Sequence, residues 1–161
     1  VMDWLNGNVP KDVVILANRD VSRLVPAYTD KNIYSYTGVG DYLVDENRLV
    51  HSLFVYSKLN KIAPSEARQY LLDNRDMVGA WIYSQKYRVL NGCYGCFPDS
   101  EIDSLAARYT HFHGQDFVAE LKKYPIDYIV WNKDTDPKWA IDRYFKTVVF
   151  QSGNLVIYQV N

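Results

Sequence analysis

Leu121-Lys-Lys-Tyr-Pro-Ile-Asp-Tyr-Ile-Val-Trp131, followed by Asp136-Pro-Lys-Trp-Ala-Ile-Asp-Arg-Tyr-Phe145 and Gly153-Asn-Leu-Val-Ile-Tyr-Gln-Val160, carries the reading of the fold. Phe117, Val118, Leu121 and Tyr124 recur at helical spacing. Lys122 and Lys123 suit the negative end of that helix, and Pro125 stops it. Tyr128 to Trp131 is a short apolar run that predicts a buried strand. Asp136 is placed to cap a helix running to Phe145, with Pro137 at its first position. Lys146 to Gln151 and Leu155 to Val160 then predict a hairpin across Ser152-Gly-Asn154.

Working outward, Val13-Val-Ile-Leu-Ala17 is a second apolar run, expected as a strand buried on both faces. A short helix from Asp3 to Asn8 precedes it, ended by Gly7 and Pro10. Ser22 to Tyr28 reads as a helical turn or loop interrupted by Pro26. Asn32 to Tyr36 reads as a strand stopped by Gly38-Val-Gly40.

The middle is helical in pattern. Asp45 can cap a helix to about Leu59, with Leu49, Leu53 and Tyr56 on one face. Pro64 opens another, whose inner stripe is Ala67, Tyr70 and Leu71. Met77, Val78, Trp81 and Ile82 continue the spacing as a further helix. Asn91-Gly-Cys-Tyr-Gly-Cys-Phe-Pro98 is a loop, and Asp99 opens a helix with Ile102, Leu105, Ala106 and Tyr109 at i, i+3, i+4 and i+7.

This order predicts an α/β protein with a layered, Rossmann-like mixed sheet of about five strands. The first strand is expected between the second and the Tyr128 strand, with right-handed crossovers covering both faces. The hairpin should lie antiparallel at one edge. We expect one domain over residues 1–161, with a helical insertion at about 45–114.

Composition narrows function more than it names it. The 161 residues are 48% hydrophobic and 23% charged, ordinary for a globular protein. A net charge of −1 argues against nucleic acid, whose phosphates need a cationic excess. No apolar run approaches the ~18 residues that would span a bilayer. The chain opens on Val1-Met-Asp-Trp-Leu5, already patterned as a helix, as expected of a piece of a longer protein. The 14 Tyr and 4 Trp residues suit either a core with hydroxyls at its rim or surfaces that touch water, headgroups or sugars.

In such a sheet, ligands bind beyond the C-terminal ends of the strands. Asn18, Arg19 and Asp20 follow the first strand there, and Asn132, Lys133 and Asp134 follow the third. Of these, Asn18, Arg19, Asp20, Asn132 and Lys133 are the candidate ligand-binding residues, although solvated loop ends have the same composition. Ala17-Asn-Arg-Asp-Val21 lacks the glycine pattern of a phosphate-binding loop, so no nucleotide cofactor is expected. Cys93-Tyr-Gly-Cys96 has the spacing of a redox couple, a disulfide or half a zinc site. A redox site would follow a strand and open a helix, and His111-Phe-His113 is too tightly spaced for the usual zinc completion. A local disulfide between Cys93 and Cys96 fits a domain outside the cytoplasm, with two separate thiols as the alternative. No metal site is expected. Glu101 and Asp103 sit at i and i+2 on a helix and do not share a face. His51 reads as a surface or core-edge residue. No nucleophile–base set stands out, so no catalytic residue is assigned.

Trp4-Leu5, Val9-Pro-Lys-Asp-Val-Val-Ile-Leu-Ala17 and Val25-Pro-Ala-Tyr28, with Lys123-Tyr-Pro-Ile-Asp-Tyr-Ile-Val130, Tyr144-Phe-Lys146 and Asn154-Leu-Val-Ile-Tyr-Gln-Val160, carry a resemblance. Together they resemble the soluble C-terminal domain of polytopic membrane glycosyltransferases (the GT-C-like proteins) and related membrane proteins. The resemblance covers about seventy residues at the two ends and rests on structural motifs; the segment from about Asp45 to Gly114 departs from it. It implies a domain on the extracytoplasmic face, following the last transmembrane helix, with the transferase carboxylates elsewhere in the parent protein. The expectation is therefore a non-catalytic accessory domain that assists binding of a glycan or lipid-linked sugar, its partner being the transmembrane portion of its own chain. The alternatives are a structural or assembly domain with no ligand, and a small-molecule enzyme with activating groups converging at Arg19 and Lys133.

Overall fold

Val14–Ala17 forms β1 and Tyr128–Asn132 forms β3, two runs joined in parallel with Leu16 opposite Ile129 and Ala17 opposite Val130. The structure, a computed structural model, describes residues 1–35, 44–88 and 91–160. On its other side β1 takes the two-residue strand β2 (Asn32–Ile33), also parallel. β4 (Val148–Ser152) and β5 (Leu155–Gln159) form the hairpin, and β5 lies antiparallel to β3. The order is β2-β1-β3-β5-β4, so the sheet is mixed, with the C-terminal hairpin at one edge. Gly153 supplies the hairpin's left-handed residue, at φ 57°, a conformation costly to a side chain with a Cβ.

The chain forms two compact units, residues 1–36 with 121–161 and residues 37–120. The segment at about 45–114 lies within the second. In the first unit, α1 (Met2–Asn8) and α2 (Arg19–Tyr28) cover one face of the sheet. Leu5, Val9, Val21 and Val25 pack there with Ile15, Ala17, Val130 and Ile157 in one buried cluster. The alternating residues Leu16, Ile129, Trp131, Val156 and Tyr158 are buried too, which is why these strands read as continuous apolar runs.

The second unit is helical: α3 (Glu46–Leu59), a 3₁₀ turn at Pro64–Glu66, α4 (Ala67–Asp73), α5 (Arg75–Ile82), a π-turn at Ser84–Arg88 and α6 (Asp99–His113). α7 (Phe117–Leu121) then carries the chain back to the first unit. Asp45 caps α3 through the Asn47 N–H at 2.6 Å, as its position predicts. Ile102, Leu105 and Tyr109 form the inner stripe of α6. Their neighbours Phe54 and Phe112 extend it into an aromatic core with ring centroids 5.5–6.3 Å apart. Among the described residues, no helix is long and apolar enough to cross a membrane.

Four expectations change. The helix from Asp136 to Phe145 is a single 3₁₀ turn, Ile141–Arg143. Trp139 and Ile141 are both buried, and residues two apart cannot face the same side of an α-helix. Asp136, the expected cap, has its carboxylate engaged elsewhere. Conversely, α2 runs through Pro26. The proline lies in the last turn, where it gives up the N–H that would pair with the Ser22 carbonyl, and Thr29 ends the helix by donating N–H and Oγ1–H to the Val25 carbonyl. The helix begun at Phe117 stops at Leu121, leaving Lys122 and Lys123 beyond it. β2 is shorter than expected. Tyr36 and the Gly38–Gly40 turn lie outside the described residues.

Candidate functional site

β1 and β3 end side by side, and the next residue, Asn18, decides what their ends can do. Asn18 is fully buried. Its N–H donates to the Val130 carbonyl at 3.3 Å, continuing the ladder by one step. Its side chain repeats the pattern. Oδ1 accepts the Asn132 N–H, while Nδ2 donates to the Asn132 carbonyl (3.4 Å) and to the Asp136 carboxylate. A primary amide carries one acceptor group and two donors in a plane, so it can stand in for a peptide unit at a strand end. Asp136 completes the knot: its carbonyl accepts Trp131 Nε1–H at 2.9 Å and the Trp139 N–H at 3.2 Å. A buried amide so fully partnered rigidifies the strand ends and has no polar atom left over for a ligand.

The other candidates separate from this knot. Arg19 and Asp20 are exposed in the first turn of α2, where the Asp20 charge favours the helix N-terminus. Lys133 is half-buried, with Nζ 5.0 Å over the Trp131 ring, a cation–π contact that closes the indole off. Its N–H donates to the Asn154 carbonyl at 3.0 Å, and Asn154 Nδ2–H donates to Asp134 at 2.7 Å, tying the segment after β3 to the hairpin turn. The structure thus joins Asn18 with Asn132, leaves Arg19 and Asp20 in solvent, and engages Lys133 on an aromatic face. Sequence reasoning missed Asp136 as the third member. It carried only the signal of a helix cap, and its partner lies 118 residues away.

In the second unit Cys93 and Cys96 are joined as a disulfide, with Cα atoms 5.7 Å apart. Among the described residues, no group of three or more His, Cys, Asp or Glu side chains is arranged to hold a metal ion. His113 packs edge-on against Tyr109, and burial together with the nearby Lys58 charge holds its imidazole below the usual range. Lys58 donates to the His113 and Gln115 carbonyls at 2.9 and 3.1 Å, at and just beyond the end of α6. Burial lowers its ammonium pKa, against the pull of Asp116 and Glu120. His51 is a buried residue, its Nε2 3.1 Å from the Glu120 carbonyl and 3.7 Å from the Glu120 carboxylate. Glu101 and Asp103 turn to different partners, Tyr83 Oη–H at 3.1 Å and Arg68 Nε–H at 2.7 Å.

The aromatic residues divide unequally between core and surface. Trp131, Trp139, Tyr34, Tyr56, Tyr83, Tyr109 and Tyr158 are buried, whereas Tyr28 and Tyr144 are 66% and 37% exposed. Comparison with protein-family models, with curated proteins and with solved structures returns no match for this chain.

Proposed function

We propose that this chain is a non-catalytic accessory domain on the extracytoplasmic face of a membrane glycosyltransferase-like protein, where it assists binding of a glycan or lipid-linked sugar. The observation that carries the reading is the Cys93–Cys96 disulfide, because such bonds persist in oxidising compartments and are rare in the cytosol. The resemblance at the two ends of the chain supplies the membrane context. Tyr28 and Tyr144, the exposed tyrosines among the described residues of the first unit, are the rings assigned to lie against a sugar face. The test is a glycan titration of the chain followed by NMR. Shifts at Tyr28 or Tyr144 are expected; unmoved spectra with both neutral glycans and a soluble lipid-pyrophosphate sugar analogue would refute the ligand part.

A second reading, a structural or assembly domain with no ligand, is favoured by the burial of Tyr34, Tyr56, Tyr83, Tyr109 and Tyr158 and by the fully partnered Asn18. Deleting residues 1–161 from the parent protein separates the two. Lost protein abundance with unchanged activity per molecule supports the assembly role, while lost activity at equal abundance supports the sugar-binding one.

A further inference from the structure

Gly79 is buried in the middle of α5, where glycine costs a helix roughly 1 kcal/mol relative to alanine. The reason lies across from it. A Cβ at Gly79 would overlap the carbonyl group of Tyr94. A Cβ at Gly95 would likewise overlap the carboxylate of Asp76 on the same helix. The turn Tyr94-Gly95 therefore rests backbone-first on α5, with one glycine from each side permitting the approach. Such a contact contributes little apolar burial, so something else must hold the turn down.

Two features do so. Downstream, Phe97 is buried against Tyr83 and Tyr87, with ring centroids 5.0 and 5.8 Å away. The Arg75 guanidinium lies 5.1 Å over the Phe97 ring and donates to the Phe97 carbonyl and to Asp99. Around the turn itself the constraint is covalent and internal: Cys93 and Cys96 bracket Tyr94 and Gly95 and fix the shape in which the turn meets α5. The ring so closed is short, and the loop entropy removed from the unfolded chain grows with loop length, so this bond acts on local shape more than on global stability. Cys93 is half-buried and Cys96 exposed, which leaves the bond within reach of a thiolate.

We infer that the Cys93–Cys96 disulfide is a redox clasp whose reduction by a dithiol lifts the turn at residues 92–96 off α5 while the helical core of that unit stays assembled. One thiolate of the dithiol attacks Cys96 Sγ, and Cys93 leaves as a thiolate that takes up a proton. The second thiol, deprotonated, attacks the mixed disulfide and expels Cys96, which is protonated in turn. Two electrons and two protons pass to the cysteine pair, and the dithiol becomes a cyclic disulfide. Freed of the cross-link, the turn no longer presses the Tyr94 carbonyl onto Gly79, and the Tyr94 ring loses its fixed place 5.1 Å beneath the Arg88 guanidinium. Phe97 keeps the downstream end docked. The clasp does not rest on the membrane reading.

Hydrogen exchange of the whole chain, read by mass spectrometry with and without dithiothreitol, tests the clasp, with alkylation confirming two free thiols. Peptides covering residues 92–96 and the Gly79 turn of α5 should exchange at least about tenfold faster after reduction, while α3 and α6 keep their protection. The Cys93→Ser/Cys96→Ser double variant should show the same pattern without reductant. Gly79→Ala should show it in the oxidised protein, because the added methyl dislodges the turn directly. Unchanged exchange at residues 92–96 in the reduced, alkylated protein would overturn the inference. So would a uniform loss of protection across α3 and α6, which would make the bond a global staple.

Discussion

In the first unit, strands meet through backbone ladders that a single buried amide, Asn18, finishes off. In the second unit, helices meet through rings. Phe54, Tyr109 and Phe112 fill its middle, and Phe97, Tyr83, Tyr87 and Arg75 tie down its loop. The difference lies in how the load is shared. A polar knot is satisfied completely or leaves desolvated groups behind, so its members act together. Ring contacts are numerous and individually modest, so the loss of one is partly absorbed by its neighbours.

The comparison breaks most readily at Asn18. Asn18→Ala leaves the Asn132 N–H and the Asp136 carboxylate without their partner, and should cost about 2–4 kcal/mol in urea denaturation. Arg19→Ala, one residue on but exposed, should stay within about 0.5 kcal/mol. Equal effects from the two would mean that the knot carries nothing special.

Alkaline pH sharpens the comparison in the second unit. Burial first, and the Glu101 charge next, raise the Tyr83 phenol above its ordinary value of 10.0. Burial raises Tyr109 as well, and its hydroxyl donates to the Ile62 carbonyl at 2.8 Å. A phenol that is harder to ionise in the folded state holds its proton there after the unfolded chain has released it. Its stabilisation is complete below the unfolded value and is lost as pH rises from about 10 toward the folded value. The slope is about 1.4 kcal/mol per pH unit for each phenol. Thermal unfolding between pH 9 and 11 should show that decline, and Tyr83→Phe or Tyr109→Phe should each flatten it. Ultraviolet titration should find both phenols silent across that range.

The smallest expected effect is at Asp45. Asp45→Ala frees the Asn47 N–H and should cost about 1 kcal/mol. A loss as large as that at Asn18 would show that a local cap in the helical unit matters as much as the long-range knot.

Asp45 also shows what was legible. A helix cap acts within three residues, so its meaning is visible in the chain itself, and α3 begins and ends where that reading puts it. The same holds for Tyr128–Trp131 and for the hairpin across Gly153, where the apolar pattern and the turn chemistry are local. Pro26 and Asp136 mark the limit. Pro26 removes one ladder bond from α2, yet the helix runs two residues past it and is closed by Thr29 on the Val25 carbonyl. Asp136 has the composition of a cap, but it is drawn to Asn18 across 118 residues, and the burial of both Trp139 and Ile141 keeps the segment after it from winding. The candidate site was legible as a place, the ends of β1 and β3, and illegible as an arrangement.

The sequence by itself determined the mixed sheet with its edge hairpin and the helices from α3 to α6, because periodicity, caps and turns act between near neighbours. Tertiary structure alone decided that Asn18 locks the strand ends, that Lys133 covers Trp131 and that Gly79 receives the Cys93–Cys96 turn. Each of these is a match between a side chain, or its absence, and a partner that chain order does not place beside it. Only close packing supplies the distance and geometry that turn a polar residue into a tie or a glycine into a seat.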